Sequence, residues 1–290
     1  MAGHPPTRLT TDNNKANSMT RKLRNRPTRA EQADRHLLYE ASVQDTESEL
    51  EFVAETFEEL TGRPLKRIRE DFCGTANTAC AWVRESDDHE AIGVDLDGEV
   101  LEWGRRHHVA RLNGAQRKRL ELIEDDVLAV QTAPVDVVLA MNFSYYLFTR
   151  RELLRGYFAR VREALVDDGV LFLDAFGGYD AHRELEERTE YDDFTYVWDQ
   201  ASFDPIHHHM TCLIHFEFPD GSELKNAFEY HWRLWTLPEI RELLLEAGFS
   251  SATVYWEGTD EETGEGDGIY TPSEIGDADA GWICYIVARR

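Results

Sequence analysis

The sequence predicts an α/β fold with an open, doubly wound and mostly parallel sheet. Short, nearly continuous apolar runs, such as Val135–Ala140 and Val170–Leu173, alternate with helical patterns between residues 66 and 175. Such runs are typical of strands that helices cover on both faces. Because ligands bind at the carboxyl ends of the strands in these sheets, we expect the functional site there.

The elements follow from these patterns in chain order. We expect strands near residues 66–72, 91–95, 119–124, 135–141 and 169–175, and helices near 75–85, 98–110 and 150–165. Thr236, with Glu239 three residues later, opens a helix over 237–247 that Gly248 ends. The last two strands are expected near 252–256 and 282–288, with a long loop between them.

The N-terminal part of the chain divides into a tail and a cap. Residues 1–28 are polar and basic, which predicts a disordered tail. Residues 29–61 carry two helical patterns, and Gly62 and Pro64 follow the second one, as is common after a last helical turn. We therefore expect an N-terminal helical cap in front of the main domain.

Residues 62–290 form the predicted main domain, which contains two further segments. Residues 193–231 are rich in strand-forming and aromatic side chains around the turn Pro219-Asp220-Gly221, and we expect an inserted β-rich roof over the strand ends. Residues 257–280 carry nine Asp and Glu and no Lys or Arg, which predicts an acidic loop. This loop is interpreted as a lid that repels anions, with a solvated insertion as the alternative.

The charge of the chain restricts its partners. The 290 residues contain 31 Lys and Arg against 56 Asp and Glu, a net charge of −25, which repels phosphate backbones and argues against long nucleic acids. A local basic strip exists, because residues 1–35 hold eight Lys and Arg against three acids. There is no apolar run of about 20 residues for a membrane span and no apolar core for a secretory signal. We expect an acidic, cytoplasmic protein with four reduced, buried cysteines.

Acidic residues lie at the tips of three successive predicted strands. The first strand ends in Glu70-Asp71-Phe72-Cys73-Gly74, the second in Asp95, and the third is followed by Asp126. With Gly74 as the one glycine in its turn, the first strand lacks the G-x-G-x-x-G fingerprint, so a dehydrogenase ranks last. Carboxylates repel a pyrophosphate but suit the ammonium of an amino-acid moiety, a ribose diol and the amino group of an adenine.

These residues resemble the class I methyltransferases that use S-adenosylmethionine, over roughly residues 62–176 and the closing helix and strands. The similarity to a bacterial and plant branch of that superfamily is carried by Glu70-Asp71-Phe72-Cys73-Gly74-Thr75-Ala76, Asn142-Phe143-Ser144-Tyr145, Tyr179 after Gly177-Gly178, Trp232-Arg233-Leu234-Trp235-Thr236-Leu237-Pro238-Glu239 and Tyr255-Trp256-Glu257-Gly258. The resemblance implies a seven-stranded, Rossmann-like sheet and S-adenosyl-L-methionine as the cofactor.

The resemblance also implies cofactor-binding residues. They are Glu70 or Asp71 for the acid of the glycine-rich motif, Cys73 and Gly74 for the close backbone approach, Asp95 with Leu96 for the ribose, Asp126 and Val127 for the adenine, and Asn142 and Phe143 after the fourth strand. Two positions depart from the usual motif, because Phe72 and Ala76 stand where its first and third glycines are expected.

The chemistry of a sulfonium methyl group needs little from the protein beyond alignment, exclusion of water and, for a protonated nucleophile, a base. Asn142 and Tyr145 follow the fourth strand, which faces the transferable methyl in this fold, and they are the first catalytic candidates. His207 and His231 are candidates for the base. Neighbouring residues of the run His207-His208-His209 point to opposite faces of an extended segment, so we expect no metal site.

Aromatic side chains near the expected pocket have two interpretations: they favour a cationic or amine-bearing small molecule through cation–π contacts, or they pack the inserted β-rich segment against the sheet. The candidates for substrate contact are Tyr39, Tyr146, Trp198, Arg233 and Trp235. We therefore expect methyl transfer to a small-molecule acceptor at nitrogen, with oxygen and sulfur acceptors left open. Two alternatives remain: methylation of RNA or protein guided by the basic tail, and a non-catalytic, cofactor-binding regulator.

Overall fold

The computed structural model describes residues 27–260, Thr263 and residues 266–290. The predicted disordered tail, residues 1–28, lies outside the described residues except for Pro27 and Thr28. Among the helices of the described segments, none is both long and apolar enough to cross a membrane.

A large mixed sheet forms the centre of the main domain. Its strands are β1 Arg67–Asp71, β2 Glu90–Asp95, β3 Leu120–Glu124, β4 Val135–Ala140, β5 Leu165–Gly177, β10 Ser251–Thr259, β11 Gly266–Ser273 and β12 Trp282–Arg289. They are ordered β11-β10-β12-β5-β4-β1-β2-β3. The strands β3, β2, β1, β4 and β5 are parallel, and β12, β10 and β11 continue the sheet in antiparallel pairs. The predicted doubly wound, mostly parallel fold class is confirmed.

Helices cover both faces of this sheet, which explains its apolar strands. They are α4 Asn77–Glu85, α5 Gly98–His107, α6 Gly114–Arg117, α7 Arg151–Ala164 and α8 Leu237–Glu246, with 3₁₀ turns at Val109–Arg111, Ser144–Leu147 and Asp180–His182. All six residues of β4 are buried, as expected for a strand between two helical layers. The capping box of Thr236 and Glu239 opens α8 as predicted.

The sheet differs from the prediction at its edge. The described residues form eight strands in this sheet rather than seven, because β11 lies in the stretch 257–280 that was expected to be a loop. It pairs antiparallel with β10, and the carboxylate of Glu257 accepts a hydrogen bond from the backbone N–H of Gly268 at 3.1 Å. The prediction of a structureless acidic loop over 257–280 is therefore wrong for Gly266–Ser273.

A second sheet forms the roof. It contains β6 Leu185–Glu190, β7 Thr195–Asp204, β8 His209–Glu217 and β9 Glu223–Arg233, antiparallel in that order. The roof begins before residue 193 and has four strands instead of a single hairpin. Residues alternate between buried and more exposed along β8, as in a strand with one packed face. The predicted turn connects β8 to β9, with Gly221 at φ 78°.

The N-terminal cap has three helices rather than two: α1 Arg29–Gln32, α2 Arg35–Val43 and α3 Thr46–Thr61. Gly62 ends α3 in the left-handed conformation, at φ 74°. The buried face of α3 belongs to the core on one side of the large sheet. The first residues of α1 bond to the roof turn, where the N–H of Arg29 donates to Asp220 at 2.9 Å. The cap therefore contacts both sheets.

Candidate functional site

The turn after β1 keeps the backbone shape of a glycine-rich loop despite its substitutions. Phe72, Gly74 and Ala76 have φ values of 58°, 52° and 56°. The left-handed conformation costs about 1–2 kcal/mol at each non-glycine residue, so the surrounding structure must hold Phe72 and Ala76 in place. No heavy atom outside its chain neighbours lies within 4 Å of the position of a Cβ on Gly74, so the loop has open space beside it.

Two contacts fix this loop from the outside. A Cβ on Gly104 would lie 2.1 Å from the carbonyl oxygen of Thr75, so the glycine lets α5 approach the loop closely. The hydroxyl of Thr75 donates to Glu40 of the cap at 2.6 Å. The same carboxylate oxygen lies 2.7 Å from Nε2 of His108. Glu40 thus joins the cap, the loop and the end of α5 through one partly buried oxygen.

The structure separates the roles of the two acids at the tip of β1. Both oxygens of Asp71 are engaged in the core, because they accept from the Arg69 guanidinium at 2.6 and 2.9 Å, and Tyr157 donates at 2.9 Å. Glu70 points to the opposite face and accepts the N–H of Ala79 at 3.0 Å. Burial raises the pKa of Glu70 to about 8. Of the two alternatives, Asp71 is the core residue, which leaves Glu70 as the candidate.

A cavity of about 930 Å³ lies at the tips of β2 and β3, and we call it the strand-tip cavity. Its lining residues are Phe72, Asp95, Leu96, Asp97, Gly98, Glu99, Glu124, Asp125, Asp126, Val127, Leu128, Leu147 and Phe148. The carboxylate of Asp95 accepts the N–H of Gly74 at 2.7 Å and that of Asp97 at 2.9 Å. A carboxylate has about four acceptor sites, so Asp95 can still accept further hydroxyl donors.

A second cavity, of about 690 Å³, lies between the cap, the roof and the carboxyl end of β5, and we call it the aromatic cavity. Its aromatic lining residues are Tyr39, Phe143, Phe176, Tyr196, Trp198, Tyr230, Trp232, Tyr270, Trp282 and Tyr285, and its carboxylates are Glu49, Asp174, Asp180, Glu187 and Glu257. None of the described residues that line either cavity is Lys, Arg or His. The aromatic cavity therefore has a negative potential and is suited to a cation.

The segment after β4 is held by a carboxylate of β5. Asn142 and Phe143 have left-handed φ values of 56° and 55°. Asp174 accepts the N–H of Asn142 at 2.7 Å and the N–H of Phe143 at 2.8 Å. Burial raises the pKa of Asp174 to about 7. Asn142 and Phe143 line the aromatic cavity as a result, while Leu147 and Phe148 of the same segment line the strand-tip cavity.

Of the remaining predicted residues, Tyr39 and Trp198 line the aromatic cavity, and Asp95, Leu96, Asp126 and Val127 line the strand-tip cavity. Tyr145 does not face the reacting position as predicted: it is fully buried, and its hydroxyl donates to the carbonyl of Asp174 at 2.8 Å. Cys73 lies in the core at the foot of the loop, beside Gly93.

Three predicted substrate contacts are core or packing residues instead. Tyr146 is buried, and its hydroxyl donates to the carbonyl of Phe176 at 3.3 Å. Trp235 is buried and donates to the carbonyl of Phe148 at 3.2 Å. Arg233 stacks over the Trp235 ring, with its guanidinium carbon 3.7 Å from the ring centroid. None of the three lines the aromatic cavity, so these predictions are corrected.

The two histidines proposed as bases lie away from both cavities. His207 is exposed and lies 2.6 Å from the carboxylate of Asp204. His231 is exposed and lies 3.1 Å from Glu229, beside a small cavity of about 310 Å³ next to β8 and β9. The prediction that either is a base at the acceptor is wrong on position. In the part of the chain that the structure describes, no three or more His, Cys, Asp or Glu are grouped to hold a metal ion.

Sequence reasoning missed several residues of the aromatic cavity. Asp174 ends the apolar run Leu171–Leu173, so the rule that identified Asp95 at a strand tip would also have found it. Glu49 lies in a helix with many other acids and has the sequence appearance of a solvated position. Tyr270 and Tyr285 reach the cavity only because β11 and β12 both join the sheet, which the sequence did not predict for β11.

Known proteins are similar to this chain in sequence and in fold. No protein-family model matches the chain. A curated relative, carboxy-S-adenosyl-L-methionine synthase of Pseudomonas fluorescens (strain SBW25), is 28% identical over 185 residues, which cover 59% of this chain. The match spans 63% of that relative's length.

Solved structures share the whole fold at low sequence identity. An S-adenosylmethionine-dependent methyltransferase from Clostridium acetobutylicum has a TM-score of 0.64 at 15% identity, with 88% of this chain and 96% of that chain covered. A sugar N-methyltransferase from Streptoalloteichus sp. has a TM-score of 0.60 at 16% identity, with 99% of both chains covered. The chain therefore has the fold of class I S-adenosylmethionine-dependent methyltransferases. The predicted methyltransferase fold is thereby confirmed, and both cavities lie at the carboxyl ends of the parallel strands.

Proposed function

We propose that the protein transfers the methyl group of S-adenosylmethionine to the nitrogen of an amine-bearing small molecule. The observation that carries the proposal is that one segment, residues 141–148 after β4, lines both cavities. One cavity has strand-tip carboxylates and apolar walls, and the other has carboxylates and aromatic walls. Two ligands that bind in them meet at this segment, as a two-substrate transfer requires.

The strand-tip cavity has the donor and acceptor set that a nucleoside needs. Asp95 has acceptor capacity for ribose hydroxyls, and Asp126 can accept from an adenine amino group. Leu96, Val127 and Phe148 offer apolar surface to the faces of a base. The left-handed Phe72 and Ala76 preserve the loop beside Gly74, which removes the reason for regarding the chain as a non-catalytic regulator.

When bound, S-adenosylmethionine supplies an electrophilic methyl carbon, to which the lone pair of the acceptor nitrogen bonds while the carbon–sulfur bond breaks and its electron pair returns to sulfur. The protein's residues align and enclose the acceptor. Asp174 fixes the backbone of Asn142 and Phe143 beside it. The cap and the roof exclude water, with Tyr39 of the cap and Tyr230 of the roof both lining the cavity.

The charge of the aromatic cavity supports an amine as the acceptor. Carboxylates and aromatic faces stabilise an ammonium group, and no Lys, Arg or His lies among the described lining residues to bind an anion. The absence of a cation from these linings also disfavours a sulfonium nucleoside with an additional carboxylate, of the kind that the name of the Pseudomonas relative describes. The Streptoalloteichus structure is named as a sugar N-methyltransferase, which agrees with an amine acceptor on this fold.

Calorimetry with S-adenosylmethionine, S-adenosylhomocysteine and NAD tests the proposal. We expect Kd values in the micromolar range, about −8 kcal/mol of binding free energy, for the first two and no binding of NAD. Asp95→Ala is expected to lose at least about 1.5 kcal/mol, because ribose hydroxyls lose charge-assisted hydrogen bonds. Asp88→Ala, at an exposed residue before β2, is the matched control. Equal affinities for Asp95→Ala and Asp88→Ala, or binding of NAD alone, would contradict the proposed cofactor.

A further inference from the structure

We infer that Glu49 is the carboxylate that binds the acceptor's ammonium group and takes its proton before methyl transfer. The inference rests on the methyl transfer to nitrogen proposed above and adds the base that the histidines were expected to provide. Glu49 lies in the first turns of α3, four residues after the N-cap Asp45. Its side chain is partly buried and lines the aromatic cavity.

The carboxylate of Glu49 has no hydrogen-bonding or ionic partner among the described residues. No hydrogen bond or ion pair to its carboxylate is formed by any residue in 27–260 or 266–290. A partly buried carboxylate without a donor is unfavourable in the protein alone and is relieved by a cationic ligand. An ammonium group, with three N–H donors, satisfies it directly.

The other carboxylates of the aromatic cavity are already engaged or exposed. Asp174 accepts two backbone N–H groups. Glu257 accepts the N–H of Gly268 at 3.1 Å. Asp180 lies 2.6 Å from the guanidinium of Arg183.

Glu187, the remaining carboxylate of the cavity, is on the outer strand β6 of the roof and is exposed. A base that must compete with water for a proton is less effective at such a position. Elimination therefore leaves Glu49 as the carboxylate that is both shielded from solvent and open to the ligand.

The electrostatic environment of Glu49 consists of acidic groups. The titratable groups that act on Glu49 are Asp174 of β5, Glu70 of β1, Asp45 of its own helix and Tyr285 of β12, and none of them is cationic. Burial, with the three carboxylates adding to it, raises the pKa of Glu49 to about 8. A base with a pKa near the working pH accepts and releases protons efficiently.

The proton moves directly from the ammonium group to Glu49, and no other reactant is needed. An N–H bond of the ammonium breaks, its proton moves to an oxygen of Glu49, and the electron pair of that bond stays on nitrogen as the nucleophile. The nitrogen regains a positive charge when it bonds to the methyl carbon. The proton on Glu49 passes to water when the next ammonium group binds, which returns the carboxylate to its ionised form.

The experiment compares Glu49→Gln with Glu51→Gln, an exposed residue of the same helix. Calorimetry at pH 7 measures the binding of benzylamine and 2-phenylethylamine to the full chain saturated with S-adenosylhomocysteine. Two buffers that differ in ionisation enthalpy give the number of protons released. We expect both amines to bind wild type and Glu51→Gln with release of up to about one proton, because the cation shifts Glu49 to its ionised form. Glu49→Gln is expected to bind them about tenfold more weakly, a loss of about 1.4 kcal/mol, without that release.

Affinity for S-adenosylhomocysteine alone shows whether each variant is folded. Glu49→Asp keeps a carboxylate on a shorter side chain, and we expect it to retain proton release, including in the case that Glu49→Gln does not fold. Wild-type affinity and proton release in Glu49→Gln, or loss of the release in a folded Glu49→Asp, overturns the inference and leaves the proposed function intact. Failure of wild type to bind the nucleoside overturns the proposed function itself, and nucleoside binding without amine binding overturns the inference and the nitrogen acceptor together.

Discussion

At the scale of single residues, the site depends on carboxylates that are buried without a cation. Glu49 and Glu70 have pKa values raised to about 8, and Asp174 has one raised to about 7, in each case chiefly by burial. Asp71, in contrast, is compensated by the buried guanidinium of Arg69. The site acids are therefore a source of instability in the protein alone, which binding of a cationic ligand would relieve.

This arrangement predicts how stability depends on pH. A carboxyl group whose folded pKa lies above its unfolded value binds more protons in the folded state, so its contribution to the free energy of unfolding falls as pH rises between the two values. For Glu49 the window runs from its ordinary value of 4.5 to about 8. We expect the difference in unfolding free energy, Glu49→Gln minus wild type, to increase from pH 5 to pH 8.5 in urea titrations. A difference that stays flat, as expected for Glu51→Gln, would show that Glu49 ionises as readily in the folded as in the unfolded state.

At the scale of elements, the cap helix α2 is fastened to the loop after β1. The carboxylate of Glu40 accepts a hydrogen bond from the hydroxyl of Thr75 and contacts His108 of the main domain. The side chain of Gln44 accepts a hydrogen bond from the side-chain amide of Asn77 at 3.1 Å. The same helix carries Tyr39 into the aromatic cavity. The cap thereby links the geometry of the loop to the closure of the acceptor site.

We expect Glu40→Ala to weaken both stability and nucleoside binding. The change leaves the Thr75 hydroxyl and the His108 ring without their buried acceptor, at a cost of about 1–3 kcal/mol in unfolding free energy. Denaturant titration measures that loss, and calorimetry with S-adenosylhomocysteine is expected to give an affinity several-fold lower because the loop is less well fixed. Glu55→Ala, at an exposed position of α3, is the control. If the two variants bind S-adenosylhomocysteine equally, the cap does not position the loop.

Elements with a strong apolar period could be predicted from the sequence, whereas strands at the edges of the two sheets could not. The strands β4 and β5 have apolar runs, and the helix α8 has a capping box, which identify these elements from sequence. Strand β11 contains three exposed polar or glycine residues at its start, and strand β6 is almost entirely exposed, so neither has an apolar face to reveal it. Both form because a neighbouring strand offers backbone hydrogen bonds, which periodicity does not record.

The site residues also divide into those that the sequence pattern predicts and those that it does not. Acids at strand tips are predictable because parallel strands bring their carboxyl ends to one edge, and Asp95 and Asp126 do line one cavity. Residues such as Tyr145 and Trp235 share the composition of a binding pocket but lie in the core. Glu49 reaches the cavity only because its helix packs against the sheet. Sequence periodicity alone could therefore not distinguish Glu49 from its exposed neighbours.

At the scale of the whole molecule, residues 1–26 are net basic, while the residues that follow them are net acidic. Residues 1–26 hold six Lys and Arg and one acid, so removal of these residues changes the net charge from −25 to −30. The hydroxyl of Thr28 caps α1 by accepting the N–H of Glu31 at 3.2 Å. All the described residues that line the two cavities come after this cap.

Deletion of residues 1–26 therefore distinguishes a small-molecule enzyme from one that is guided to RNA or protein by its tail. We expect the shortened chain, which keeps the Thr28 cap, to bind S-adenosylhomocysteine and benzylamine within about twofold of wild type. The described residues that line both cavities all follow the deletion, and exposed charges are largely screened beyond about 8–10 Å at physiological salt. Calorimetry at 150 mM salt gives the affinities, and the formation of S-adenosylhomocysteine from S-adenosylmethionine with a small amine gives the turnover. If turnover on small amines survives the deletion, tail-guided recognition is not needed for the reaction. Abolished turnover with unchanged binding of both ligands would instead assign the tail a part in catalysis and contradict an active site built wholly from residues after Thr28.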